Sequence, residues 1–193
     1  MYQQISKGVR SINILITGGA RSGKSSFAQE LAVELGGPIL FVATAEAKDE
    51  EMRRRIEAHK RSRPTFWNTL EAVTSVGSQI RQSVGQARVV IVDCVTLLVN
   101  NVLCQHMNGA DEKIDAEVIE QGVTDEITQL IDCMNNSEAS FIVVTNEVGT
   151  DLIPASAMAR LYRDLLGKAN QMLGQHADRV YLMVAGLPLQ VKP

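Results

Sequence analysis

Three features of the 193-residue sequence predict an α/β fold, a mostly parallel sheet flanked by helices. Short apolar runs rich in β-branched residues recur along the chain, longer stretches of helical character separate them, and a glycine-rich turn joins the first run to the first helix. The runs cover residues 12–17, 39–43, 89–93, 141–145 and 180–184. They are apolar almost without alternation, which is what strands covered on both faces require. Residues 24–35, 49–60, 71–83, 112–134 and 156–175 read as the helices between them, and strand-helix alternation is the mark of the α/β class.

Each element carries its own signals. The helix over 24–35 is stopped by Gly36-Gly37-Pro38 before the second strand. The helix over 49–60 opens on Asp49, Glu50 and Glu51 and continues into arginines and Lys60, so its charges match the helix dipole. Trp67, just after it, reads either as part of a functional block or as an apolar anchor for this basic helix. The third strand ends in Asp93, and Asn108-Gly109 marks a turn in the connection over 105–115 that follows. The Leu, Val and Met residues of 180–184 read as core.

Composition bounds the function. Hydrophobic residues are 45% and charged residues 21% of the chain, ordinary values for a globular domain. Residues 12–193 are expected to form one domain behind an N-terminal extension, 1–11. A formal net charge of −3 argues against nucleic acid as partner and for a small phosphate-bearing ligand. Cys94, Cys104 and Cys133 form neither a CxxC pair nor an even set, so they read as reduced thiols of a cytoplasmic protein. No stretch reaches the length of about 20 apolar residues that a membrane span needs.

The residues Gly18-Gly19-Ala20-Arg21-Ser22-Gly23-Lys24-Ser25 fill the whole pattern of a phosphate-binding loop, directly after a strand and opening a helix. Glycines let the backbone curl around phosphate oxygens, and the N–H groups of loop and helix start point at them. Lys24 is placed to reach the β and γ phosphates and Ser25 to offer a hydroxyl to Mg²⁺. Asp93, a carboxylate at the mouth of a strand, is the expected second group on that metal ion. Ligands of such sheets sit beyond the carboxyl ends of the strands, which adds Thr44 and Glu147 to the candidates. Thr44 reads equally as a nucleotide contact or a strand-end cap, and Glu147 as a magnesium or nucleotide contact or a solvated carboxylate. Arg160, Arg163 and Asn170 share one face of the last helix, where they either line a substrate site or anchor the helix. His59 alone, in a basic helix with no triad partner nearby in sequence, reads as a solvated residue, and His106 and His176 read likewise.

Four blocks change that last reading. The stretch "ITGGARSGKSSFAQELA", the stretch "DEEMRRRIEAHKRSRPTFWNTLE", the stretch "DCVTLLVNN" and the C-terminal part from Thr145 together resemble the adenosylcobinamide kinase / adenosylcobinamide-phosphate guanylyltransferase family of cobalamin assembly. They fall in the family's order from about Ile12 to the C-terminus. The resemblance implies a P-loop NTPase fold of the RecA-like kind. It implies phosphorylation of the aminopropanol hydroxyl of adenosylcobinamide by ATP or GTP, then transfer of GMP from GTP to adenosylcobinamide phosphate through a guanylyl-histidine, with release of pyrophosphate. His59 matches the family's histidine in the H-K-x-x-R-P block, and Lys60, Arg63 and Glu71 are implied to bind nucleotide beside it. The resemblance also implies a homo-oligomer, a trimer. Two other readings remain at this point: a simple small-molecule kinase without guanylyl transfer, and a nucleotide-switched binding protein.

Overall fold

A computed structural model describes residues 11–47, 49–61, 63–106, 115–150 and 153–193, with the side chain of Arg55 left aside. Among the described residues seven strands form one sheet in the order β3-β2-β4-β5-β1-β6-β7. The chain runs β1 (Asn13–Gly18), α1 (Lys24–Leu35), β2 (Ile39–Ala43), α2 (Glu50–Arg61), β3 (Asn68–Glu71), α3 (Val76–Ser83), β4 (Val89–Asp93), α4 (Val95–Gln105), α5 (Ala116–Asn135), β5 (Ser140–Val144), α6 (Ala157–His176), β6 (Arg179–Val184) and β7 (Leu187–Lys192). The first six strands are parallel, and β7 returns antiparallel to β6. The α/β class and the mostly parallel sheet are therefore as the sequence predicts.

The two faces of the sheet are covered unequally. Residues Leu40, Val42, Val90, Val92, Phe141 and Val143 point into a large core closed by α3, α4, α5 and α6. The opposite residues, among them Ile14, Ile16, Phe41, Ile91 and Ile142, pack against Ala28 and Ala32 of α1 and against Trp67. Trp67 is thus an apolar anchor, as one of its two readings held, and it closes the part of this face that α1 does not reach. Caps fix the helix starts: Asp115 Oδ1 accepts from Glu117 N and Val118 N, Ser156 Oγ accepts from Ala159 N, and Asp49 Oδ1 accepts from Met52 N.

Several expectations need correction. Residues 71–83 are not one helix: β3 ends at Glu71 and α3 starts at Val76, with Ser75 between them in the left-handed region at φ 51°. β3 pairs with β2 alone and is mostly exposed, so it lacks the apolar run that betrays a central strand. α4 follows Asp93 almost at once, where a loop was expected; its buried residues surround it on most sides and give no amphipathic stripe to read. The stretch 180–184 is not core throughout, since Met183 alone of it is buried and Val184 is 55% exposed. It lies beside the terminal hairpin strand β7, with little cover. The expected turn at Asn108-Gly109, most of the connection over 105–115, the start of the helix over 112–134 and nearly all of the extension 1–11 lie outside the described residues.

Candidate active site

The phosphate loop sits between β1 and α1 as its pattern requires. Gly18 closes β1 at φ 146°, and a Cβ there would stand 2.6 Å from the Met183 carbonyl oxygen and 2.9 Å from Ser22 Oγ. Arg21 and Gly23 also hold positive φ, 56° and 95°, so the loop turns sharply before α1 begins at Lys24. The hairpin between β6 and β7 backs this turn: Gly186 N donates to Ser22 O at 3.1 Å. Ser25 is half-buried on the first turn of α1, while Gly19 and Ala20 are exposed at the loop's crest.

Lys24 is 8% exposed, and its ammonium donates to Gly19 O at 2.5 Å and more weakly to Ser22 Oγ at 3.4 Å. Burial holds its pKa below the usual lysine range, against the pull of the Asp93 carboxylate. A cation kept half-desolvated over a ring of backbone groups is a receptor for phosphate oxygens. Cys94 is pushed up to about 12 by burial and by Asp93, so its thiol stays neutral and is no nucleophile.

Thr44, placed by sequence among nucleotide contacts, has another task. It is fully buried, its hydroxyl donates to Cys94 O at 2.7 Å and accepts from Cys94 N at 2.8 Å, and nothing of it remains for a ligand. It is the strand-end cap of its second reading, and through Cys94 it fixes the exit of the Asp93 strand.

His59, Lys60, Arg63 and Glu71 come from the excursion between β2 and β3. His59 is exposed near the end of α2. Lys60 Nζ meets Glu71 Oε1 at 2.5 Å, tying the end of α2 to the end of β3. The Arg63 guanidinium lies 3.7 Å from the centroid of the Phe41 ring. Burial lowers its pKa, while Asp93 and Glu71 raise it. Its Nε and Nη1, and Trp67 Nε1, are buried with no hydrogen-bond partner among the described residues. A guanidinium with two unanswered N–H groups is a site waiting for acceptor oxygens. Lys60, Arg63, Pro64, Thr65, Trp67, Thr69 and Glu71 line a concavity of about 400 Å³ here.

The structure brings Asp93 within electrostatic reach of both Lys24 and Arg63, and Arg63 within reach of Glu71, while His59 stands on α2, which leaves the sheet after β2. β2 is three strands from β1 in the sheet. At about 4.8 Å per strand that is about 14 Å. On the other side of Asp93, the loop after β5 is held rather than free: Glu147 N donates to Gly18 O at 3.1 Å, and Glu147 Oε1 accepts from Gly149 N at 2.6 Å. Asn170 accepts from Thr145 Oγ1 and donates to Asn146 O, and Arg160 donates to the carbonyls of Pro154 and Ala155. Those two residues anchor α6 and its preceding loop, whereas Arg163 makes a loose contact of 3.4 Å with Asp164. His176 Nδ1 lies 2.9 Å from Met172 O at the end of α6.

No group of three or more His, Cys, Asp or Glu residues able to hold a metal occurs among the described residues. Mg²⁺ takes one or two protein oxygens and completes its shell with substrate phosphates and water. Ser25 and Asp93 are the residues suited to it. Sequence reasoning missed Asn101, Thr96 and Gly186, which support the site from behind. An asparagine inside an apolar run is a faint signal that a buried amide is needed, and Ala185-Gly186 gives no common turn signature.

Comparison with known proteins decides the family. The cobinamide kinase / cobinamide phosphate guanyltransferase family matches residues 14–191. The chain belongs to that family. It is 38% identical over 180 residues to the bifunctional adenosylcobalamin biosynthesis protein CobU of Escherichia coli strain K12, covering 93% of this chain and 99% of that protein. It is 37% identical over 179 residues to the bifunctional adenosylcobalamin biosynthesis protein CobP of Pseudomonas aeruginosa, covering 92% of this chain and 96% of that one. Among solved structures, a prototypical ATPase from the type III secretion system of pathogenic bacteria superposes with TM-score 0.54 at 11% identity, over 90% of this chain and 51% of that one, a likeness of fold alone. Membership gives no support to a kinase without guanylyl transfer or to a nucleotide switch.

Proposed function

We propose that this family member phosphorylates adenosylcobinamide with ATP or GTP and then transfers GMP from GTP to the phosphate it has made, with His59 as the covalent carrier. The observation that carries this reading is the position of Asp93: it stands level with Ala43 at the end of β2, from which the His59 segment departs, and its charge reaches both Lys24 in the phosphate loop and Arg63.

In the first step the substrate hydroxyl oxygen attacks the γ-phosphorus, the β–γ bridge breaks, and the nucleoside diphosphate departs as the hydroxyl proton is lost. The loop N–H groups and Lys24 hold the phosphate oxygens as charge moves onto the bridge. In the second, a ring nitrogen of His59 attacks the α-phosphorus of GTP and the α–β bridge breaks. The cradle that binds β and γ phosphates then receives the departing pyrophosphate. An oxygen of the substrate phosphate next attacks the same phosphorus, the N–P bond breaks, and adenosylcobinamide-GDP leaves with neutral imidazole restored. Lys60 and Arg63 offset the charge on the α-phosphate oxygens, and Glu71 orients Lys60. Ser25 and Asp93 would hold Mg²⁺ here, which would neutralise charge on the phosphates. Transfer to His59 then needs either a hinge that brings α2 to the loop or GTP bound at this site in a second orientation.

The protein is placed in the cytoplasm with its nucleotides, and it works as a homo-oligomer, a trimer. The exposed apolar side chains of Val184, Leu187, Leu189 and Val191 on the terminal hairpin support association. Sedimentation of the purified chain tests this, a monomer at working concentration being the contrary result. For the activity, the purified chain is given adenosylcobinamide with ATP, then GTP, and products are separated chromatographically. The expected result is phosphate ester followed by the GDP derivative and pyrophosphate, with His59→Ala stopping at the ester. Formation of the GDP derivative by that variant would overturn the assignment.

A further inference from the structure

Asn101 of α4 is 5% exposed and takes no part in the chemistry above. Its Nδ2 donates to Thr44 O at 2.8 Å and to Val73 O at 2.9 Å. Thr44 directly follows β2, and Val73 lies just past the end of β3 at Glu71. One amide nitrogen therefore spends both of its protons on the two stems of the excursion that carries His59, Lys60, Arg63 and Glu71.

The same helix is fastened on its other side. Thr96 Oγ1 accepts from Asn146 N at 2.8 Å, and Tyr162 OH donates to Thr96 O at 3.0 Å. α4 begins two residues after Asp93, so it is a rigid bar joining the metal-site strand, the loop after β5 and the His59 excursion. The phosphate loop is held differently, through β1, α1, Gly186 and Glu147, with no bond to Asn101.

We propose that Asn101 is a positioning residue for guanylyl transfer: it sets where the His59 excursion stands relative to the phosphate loop, touching neither nucleotide nor corrinoid. The proposal rests on the two-step reading above. A displacement of about 1 Å in a reacting group costs up to about 100-fold in rate. Loss of the amide therefore weighs more on the α-phosphate step than on the γ-phosphate step, whose phosphate loop is held by other bonds.

The test compares the intact protein with Asn101→Ala, with Asn101→Gln, which keeps both amide donors, and with Leu98→Ala, which opens a cavity in the same helix. Three quantities are measured: protein-bound label from α-labelled GTP, γ-phosphate transfer to adenosylcobinamide, and acrylamide quenching of Trp67, the chain's single tryptophan, which reports on the excursion. In Asn101→Ala the labelling rate is expected to fall about 10-fold or more beyond any fall in γ-transfer, with quenching increased. Asn101→Gln is expected to recover part of the labelling rate, and Leu98→Ala to lower both reactions in the same proportion. Equal losses in Asn101→Ala and Leu98→Ala, or wild-type labelling in Asn101→Ala, would overturn the positioning role and leave the two-step reading intact. Absence of label in the wild-type protein overturns the two-step reading itself, and is seen before any variant is compared.

Discussion

Lys24 combines the phosphate-binding role proposed for it with a cost to the fold. Its buried ammonium is satisfied by the loop's own oxygens and finds no carboxylate within hydrogen-bond reach among the described residues, an arrangement that becomes favourable when phosphate arrives. Lys24→Met is therefore expected to lose both reactions by about 100-fold or more, while the ligand-free protein melts no lower than wild type. The pH dependence follows from the sign of the shift. The unfolded lysine keeps its proton up to the ordinary lysine value of 10.5, whereas folded Lys24 releases it earlier. Within that window the unfolded chain binds more protons, so the ligand-free protein gains stability as pH rises, and Lys24→Met lacks that gain. Denaturant melts of both proteins at several alkaline pH values check this. The loop between β1 and α1 was the most legible part of the sequence, because a backbone shaped to cradle phosphate demands glycine, lysine and serine at fixed spacing. Thr44 was not, since a hydroxyl at a strand end serves a ligand or the backbone equally well and only burial decides.

At the scale of elements, helix α3 starts without a side-chain cap of its own and borrows one from α5. Glu126, 7% exposed, accepts from Ser75 N at 2.7 Å and Val76 N at 2.8 Å, placing a carboxylate on the positive end of α3. Glu126→Gln turns one acceptor into a donor facing a donor and removes the charge. A loss of about 1–3 kcal/mol in urea denaturation is expected, with both activities retained at low temperature. Gly18→Ala is expected to do the opposite kind of damage: its methyl would meet the Met183 carbonyl of β6 and Ser22 of the loop, so phosphate binding suffers more than folding. Nucleotide titration beside a thermal melt separates the two. The central strands were readable because burial on both faces writes itself as an unbroken apolar run. β3 and β7, at the sheet's edges, carry no such run, and α4 is buried around too much of its circumference to show a stripe.

Over the whole molecule, one sheet edge gathers groups from distant parts of the chain: the loop after β1, Asp93 after β4, the His59 excursion between β2 and β3, and the loop after β5. The alternation of strand and helix made that edge predictable, while the strand order, which puts β4 and β5 between β2 and β1, was invisible in sequence, since an apolar run gives a strand's identity and not its neighbours. No described helix is long and apolar enough to cross a membrane. The claim that matters most is that His59 carries the nucleotide. Incubating wild-type protein and His59→Ala with Mg²⁺ and GTP labelled at the α or the γ position tests it directly. The expected result is α-label bound to wild type, stable to base and lost in acid, absent from His59→Ala, with γ-phosphate transfer persisting in the variant. Equal α-labelling of His59→Ala, or no label on wild-type protein that binds GTP, would contradict it.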